Sequence, residues 1–147
     1  MFCLLFCATL FLSAQAVELE AASFLLVVNS ENPVDGLPRE EVRQMYRKLE
    51  TKWEDWPKGP RVEVVGQKIE AEVRAAFHAR IHGEKISLSH LRSFWERERY
   101  SGRAVKPKEY GSDEEVMKFV ARTPGGIGYV TVGAKLRKGV KALKPVD

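Results

Sequence analysis

The strongest single indication of the fold is the segment PGGIGYVTV at residues 124–132. Pro124 and the glycine pair that follows it end any preceding helix, and the run 127–132 is built mainly from Ile, Tyr and Val. A continuous apolar run bounded by turn residues is typical of a strand that is buried on both faces. We therefore predict a buried strand at 127–132, with a helix that ends before Pro124.

The same reasoning, extended outward from this strand, predicts strands that alternate with helices. Two earlier apolar runs, FLLVVN (24–29) and VEVV (62–65), are each followed by turn residues, and we interpret the first as a buried parallel strand. Strands alternating with helices are typical of an α/β fold with a mainly parallel sheet flanked by helices. Helices are predicted where apolar residues recur at helical spacing, in the segments 38–49, 69–81, 87–95 and 112–120.

Residues at the helix ends support these boundaries. Ser87 is placed as an N-terminal cap, and Ser112 with Glu115 has the spacing of a capping box. Gly83 is placed to end the second helix. The expected core includes Leu49, Phe94 and Trp95.

Length and charge limit what the chain can be. It has 147 residues, enough for one domain, with the ordinary globular balance of 44% hydrophobic and 30% charged residues. The net charge is +4, and segment 133–147 accounts for it with five Lys and Arg residues and one Asp. The rest of the chain is neutral. This distribution argues against a nucleic-acid-binding face. We predict that 133–147 is a basic C-terminal strand or tail, with a plain solvated terminus as the favoured form.

Residues 1–16 have the features of a secretory signal peptide. They contain no charged side chain, and the small residues Ala14 and Ala16 stand where a signal peptidase reads. The apolar run is too short to span a membrane, which takes about 20 residues. Both cysteines, Cys3 and Cys7, lie within it, so the cleaved chain would have no disulfide. We predict export to a bacterial periplasm, with no transmembrane segment after cleavage.

Four stretches of the chain form an ordered series: LPREEVRQMYRK (37–48), WPKG (56–59), FWERERYSGRAVKP (94–107) and TPGGIGYV (123–130). This series resembles the phosphate ABC transporter substrate-binding family, and more closely its short relatives that keep one lobe. The resemblance implies a single lobe of a type II periplasmic-binding-protein fold over residues 17–132. It also implies that the protein binds phosphate or a similar oxyanion, for uptake or sensing.

The chain departs from that family after its second strand. Full-length members have two lobes that close on the anion, and a phosphate loop rich in Ser, Gly and Thr. Here the matching stretch VGQKIE (65–70) has no hydroxyl group, and Glu70 and Glu72 oppose an anion. A second function therefore stays open: a scaffold or interaction module of the cell envelope that keeps the fold without ligand binding.

An oxyanion pocket is expected at the carboxyl ends of the strands, where open α/β sheets bind ligands. Hydroxyl groups, backbone N–H groups and a guanidinium in the turns there would hold the anion. The alternative is that these are ordinary turn and capping residues. The candidate binding residues are Asn29, Ser30, Asn32, Gln67, Lys68, Ser101, Gly102 and Arg103.

Catalytic and metal-binding patterns are weak. His78 and His82 are one helical turn apart, a spacing that can share a metal ion, but two solvated helix-face histidines are the favoured interpretation. The sequence has no G-x-S-x-G motif, and Glu96 and Glu98 alternate with arginines as on a salt-bridged surface. We therefore expect no enzyme activity, no metal and no cofactor.

Two tryptophans, Trp53 and Trp56, lie in the loop before the second strand. An exposed pair would mark a surface for a protein partner. The interpretation we favour is that they cover the loop itself. The predicted partners are phosphate or a similar oxyanion and an envelope or transporter protein, but no nucleic acid.

Overall fold

The structure is a computed structural model that describes residues 24–68, 71–83, 86–104 and 106–146. The signal peptide predicted at 1–16 and the first residues of the predicted domain lie outside this part. The described elements are, in chain order, β1 (Phe24–Asn29), α1 (Arg39–Tyr46), β2 (Glu63–Gln67), α2 (Glu72–Ile81), α3 (Leu88–Tyr100), β3 (Lys108–Tyr110), α4 (Asp113–Arg122), β4 (Gly126–Thr131) and β5 (Val140–Ala142).

The described strands form one sheet in the order β3-β2-β4-β1-β5. β2 is parallel to β3 and β4, whereas β1 is antiparallel to both β4 and β5. Four strands therefore point the same way, which confirms the mainly parallel sheet. The prediction that 24–29 is a parallel strand is wrong, because a strand that is covered on both faces is apolar whatever its direction.

Helices cover both faces of the sheet. α1 and α2 pack on one face, where Val28 and Phe77 belong to the larger apolar cluster. α4 packs on the other face, where Val27 and Val116 belong to the second cluster. Val27 and Val28 are neighbours in β1 and point to opposite clusters, as side chains alternate along a strand. The α/β fold with flanking helices is thus confirmed.

The stretch 124–132 contains the central strand β4, and two of its glycines allow close approach of other segments. A Cβ atom on Gly125 would lie 1.9 Å from the carbonyl oxygen of Arg61. A Cβ atom on Gly128 would lie 2.6 Å from Cγ1 of Val116. Gly125 therefore lets the segment before β2 run beside β4, and Gly128 lets α4 pack directly on the sheet.

The predicted helix caps are present. The Ser87 hydroxyl oxygen accepts a hydrogen bond from the backbone N–H of His90 at 3.2 Å. The Ser112 hydroxyl oxygen likewise accepts from the N–H of Glu115 at 3.2 Å. Gly83 follows the end of α2 with a φ of +89°, a left-handed conformation that favours glycine.

Three residues expected in the core lie outside it. α1 ends at Tyr46, so Leu49 lies beyond the helix and is 65% exposed. Phe94 and Trp95 are only half-buried, and no described side chain of α3 is fully buried. α3 therefore stands away from the core, although its apolar spacing resembles that of a core helix. None of the described helices has the length and apolar character to cross a membrane.

The basic segment 133–147 contributes β5, which pairs with β1 at one edge of the sheet. Arg137 forms an ion pair with Glu114 at 3.1 Å, and Lys141 lies 3.7 Å from Asp35. Of the forms considered for this segment, the edge strand is the one observed, rather than the plain solvated terminus that we favoured.

Neither loop tryptophan is fully exposed: Trp56 covers its own loop, as the favoured interpretation predicts, whereas Trp53 packs in the core. Trp53 is 1% exposed and belongs to the larger apolar cluster. Trp56 is half-buried, and its ring packs so closely on Gly59 that a Cβ atom there would lie 2.2 Å from Cδ2 of the tryptophan. The pair does not form an exposed partner surface.

Candidate functional site

The sheet separates the predicted binding residues into groups that do not meet. Because β1 is antiparallel to β4, Asn29 lies beside the start of β4, while Gln67 lies beside its end. The two positions are roughly 13 Å apart along the sheet at about 3.3 Å per residue. The residues that follow β1 and those that follow β2 lie at opposite ends of the central strand β4, so one pocket does not contain both.

The predicted binding residues at the end of β1 and just after it make hydrogen bonds that hold the backbone in place. The side-chain amide of Asn29 donates hydrogen bonds to the carbonyl oxygens of Val120 at 2.9 Å and Ala121 at 3.1 Å, at the C-terminal end of α4. The Asn32 side-chain oxygen accepts a backbone N–H two residues further on, which closes a local turn. Ser30 is exposed. Asn29 thus ties α4 to the sheet.

We expect Asn29→Ala to lower the free energy of unfolding by about 2 kcal/mol, because the buried amide makes two hydrogen bonds to α4. Urea unfolding followed by circular dichroism measures this change. Ser30→Ala is the matched control, since Ser30 is exposed and should change stability by less than about 0.5 kcal/mol. Equal losses in the two variants would contradict the anchoring role of Asn29.

Gln67 is buried at the end of β2 in a hydrogen-bond network. Its side-chain amide donates to Oδ1 of Asp113 at 2.7 Å and to the carbonyl oxygen of Tyr129 at 3.0 Å. Arg74 donates to the carbonyl oxygen of Gln67 at 2.7 Å and to Oε1 of Glu109 at 2.5 Å. The donors of the Gln67 side chain are therefore committed to holding β2, β4 and α4 together.

The remaining predicted binding residues, Lys68, Ser101, Gly102 and Arg103, are exposed. The Arg103 guanidinium forms two hydrogen bonds with the Glu98 carboxylate, at 2.9 and 3.2 Å. This pairing lowers the pKa of Glu98 and raises the pKa of Arg103. Arg103 is thus already paired with a carboxylate, and binding of an anion by any of these residues stays a prediction.

A groove of about 520 Å³ opens between α3 and the rest of the domain. Its walls come from the end of α1, from α2 and α3, and from β2, β3 and β4. Its volume is within the range of about 300–1,000 Å³ that is usual for small-molecule pockets. This space exists because α3 lies apart from the core.

Aromatic side chains form the floor of the groove. Phe77 stacks on Tyr129 with 3.9 Å between ring centroids, and Tyr46 lies 4.7 Å from Phe77. Burial raises the pKa of both tyrosines, so their hydroxyl groups stay protonated. Leu91 and Trp95 line the opposite wall, on α3.

Cationic side chains outnumber carboxylates around the groove. The cations are Arg47, Arg74, Arg92, Arg99 and Lys106. The carboxylates are those of Glu96 and Glu109, and Glu109 is already paired with Arg74. Within the described ranges, the other four cations have no ion-pair partner. Guanidinium and ammonium groups bind phosphate and carboxylate oxygens, so the groove suits an anion.

His82 lines the groove as a neutral side chain. It is 8% exposed, and burial, followed by the positive charges of His78 and nearby arginines, lowers its pKa to about 3. The interpretation of both histidines as solvated is therefore wrong for His82, since its helix face packs against the domain. The His78 ring hydrogen-bonds to the carbonyl oxygen of Ile86. In the part of the chain that is described, no three His, Cys, Asp or Glu side chains cluster as a metal site requires.

Sequence reasoning missed the groove because it assigned the apolar side of α3 to the core. Leu91, Trp95 and Arg99 recur every four residues, so they share one face of the helix. An apolar row that ends in an arginine, with Arg92 beside it, was the available signal. Such a row favours a half-exposed wall over a fully buried face.

Solved structures of phosphate-transport proteins have this fold. A phosphate ABC-type transport receptor from Vibrio cholerae matches with a TM-score of 0.62 and 20% identity, over 83% of this chain and 45% of the other. A phosphate ABC transporter substrate-binding protein with bound phosphate from Clostridium perfringens matches with a TM-score of 0.63 and 19% identity, over 85% and 46%. PstS from Borrelia burgdorferi gives 0.61 and 13%, over 90% and 53%.

The described chain thus has the fold of a single lobe of a periplasmic-binding protein, and its structural neighbours are those that the resemblance predicted. It spans about half the length of these neighbours. No family model matches the sequence. No curated protein matches it significantly either. Identities of 20% or less relate the chain to these proteins by fold alone.

Proposed function

We propose that this protein binds phosphate or a similar oxyanion in the groove beside α3, as a periplasmic-binding-protein-like component of uptake or sensing. The observation that carries the proposal is the excess of cationic side chains in the groove, where Arg92, Arg99 and Lys106 have no ion-pair partner among the described residues. A planar guanidinium offers paired N–H donors that match two oxygens of one anion.

Other anion sites are less suitable on electrostatic grounds. Helix N-termini attract anions, but the first turn of α4 contains Asp113, Glu114 and Glu115, and that of α2 contains Glu72. The Ser112 hydroxyl and the Glu115 carboxylate already accept N–H groups at the start of α4. The start of α2, which follows the predicted binding residues Gln67 and Lys68, therefore has a carboxylate in its first turn, and the start of α4 has three. The groove is the better anion site on these grounds.

The comparisons support the same class of ligand. Two of the structural neighbours are a transport receptor and a substrate-binding protein for phosphate, the latter with phosphate bound, rather than enzymes. A protein of this kind acts outside the cytoplasm, so the proposal includes export to the periplasm and no catalytic activity.

Calorimetric titration of inorganic phosphate into the purified protein at low salt tests the proposal, with sulfate in parallel. We expect saturable binding of at least one of the two anions. The double variant Arg92→Ala/Arg99→Ala should weaken it at least about tenfold, equivalent to about 1.4 kcal/mol. Arg97→Ala is the matched control, because Arg97 is exposed on the same helix and does not line the groove.

Two outcomes would contradict the proposal. An equal loss of affinity in Arg97→Ala would indicate general charge attraction instead of a site. No heat with either anion, from protein that is shown to be folded, would leave the envelope scaffold as the surviving function. Arg103→Ala should keep the wild-type affinity within about twofold, because its guanidinium is already paired with Glu98 outside the groove.

A further inference from the structure

The groove is much larger than an inorganic oxyanion. Its volume is about 520 Å³, whereas one water molecule occupies about 30 Å³ of liquid. Phosphate has five heavy atoms and would fill only a small part of this space. Small-molecule pockets of this volume usually bury most of a ligand that has several times as many atoms.

The part that phosphate would leave empty is apolar. Leu91 and Trp95 face it from α3, and the stacked rings of Phe77 and Tyr129 form its floor. Trp95 is half-buried although its large ring faces the domain, so it has apolar surface left to cover. Covering that surface with an apolar group would be favourable by the hydrophobic effect.

The charges are arranged around this apolar space. Arg99 lies one turn beyond Trp95 on the same helix face, and Arg92 lies one turn before Glu96 on the neighbouring row. Lys106 lines the groove from the segment before β3. A ligand with one anionic group and one flat apolar group would therefore meet both kinds of surface at once.

We infer that the groove binds an organic phosphate, a phosphate ester with an aromatic or other flat apolar group, in preference to inorganic phosphate. This inference rests on the proposed function, because the same cations would hold the phosphate group. The apolar group would lie between Trp95 and the floor of the groove. Trp95 is then a specificity-determining residue that contacts the apolar group of the ester and not its phosphate.

The test compares inorganic phosphate, 1-naphthyl phosphate and uncharged 1-naphthol by calorimetry on the purified protein. We expect 1-naphthyl phosphate to bind at least tenfold more tightly than inorganic phosphate, and 1-naphthol to bind more weakly than the ester. Trp95→Ala should reduce the affinity for the ester to within about twofold of that for phosphate. Tyr100→Ala is the matched control, since Tyr100 is 96% exposed on the same helix and does not line the groove.

The outcomes separate this inference from the proposed function. If phosphate binds and the ester binds no more tightly, the inference is wrong and the proposed function stands. If the ester binds and inorganic phosphate does not, the inference stands and phosphate is not the ligand. If the folded protein binds neither, both are wrong. If the protein is a dimer that Trp95→Ala converts to a monomer, a second copy covers the groove and the inference is wrong.

Discussion

Gly125→Ala should lower the free energy of unfolding by about 3 kcal/mol or more. The new Cβ atom would lie 1.9 Å from the carbonyl oxygen of Arg61 and 3.0 Å from its carbonyl carbon. These are backbone atoms, so no side chain can rotate to make room, and the two segments must separate. Separation would also break the hydrogen bond from the N–H of Glu63 to the carbonyl oxygen of Gly125, which is 2.9 Å long and adjoins the β2–β4 pairing.

Urea and thermal unfolding, followed by circular dichroism, measure this effect. Gly36→Ala is the matched control, because a Cβ atom at Gly36 would lie 3.5 Å from Cβ of Lys144, an ordinary contact distance. We expect that variant to change stability by less than about 0.5 kcal/mol. If Gly125→Ala is as stable as Gly36→Ala, the backbone segments at residues 61 and 125 are not as close as described.

Much of the fold follows from local pattern. The stretch 124–132 shows both a break and a buried strand, and the strand proves to be the central one. Caps such as Ser87 and Ser112 depend on hydrogen bonds within one turn, so their spacing in the sequence is sufficient to predict them. The direction of β1 depends on long-range pairing with β4 and β5, which no feature of FLLVVN encodes.

The candidate site was less predictable for the same reason. The predicted pocket requires that Asn29 and Gln67 end parallel strands, and the reversed β1 places them at opposite ends of β4. An Asn or a Gln looks the same in a sequence whether its side chain binds a ligand or holds two elements together. Trp95 was expected in the core because helical spacing identifies a face but not what covers it. Where α3 stands relative to the sheet is a property of the tertiary structure.

Acid should destabilise the protein through His82. Its pKa is lowered from 6.5 to about 3 in the folded state, chiefly by burial and then by the positive charges of His78, Arg47, Arg43 and Arg74. Between pH 6.5 and pH 3, His82 is therefore protonated in the unfolded chain but stays neutral in the folded chain. The contribution of His82 to stability is complete above about pH 6.5 and is lost as the pH falls towards 3, at up to about 1.4 kcal/mol per pH unit.

At pH 4.5 this loss amounts to about 2 to 3 kcal/mol. Urea unfolding at pH 7.5 and at pH 4.5 measures it, and His82→Gln should lose less stability between the two pH values because glutamine does not titrate. The comparison uses the difference between the two pH values, so a lower starting stability of the variant does not affect it. His90→Gln is the matched control, since His90 is exposed on α3 and should leave the wild-type pH dependence in place. If His82→Gln retains the full acid sensitivity, another group causes this sensitivity. The assignment of His82 as a buried neutral side chain in the wall of the groove would then be wrong.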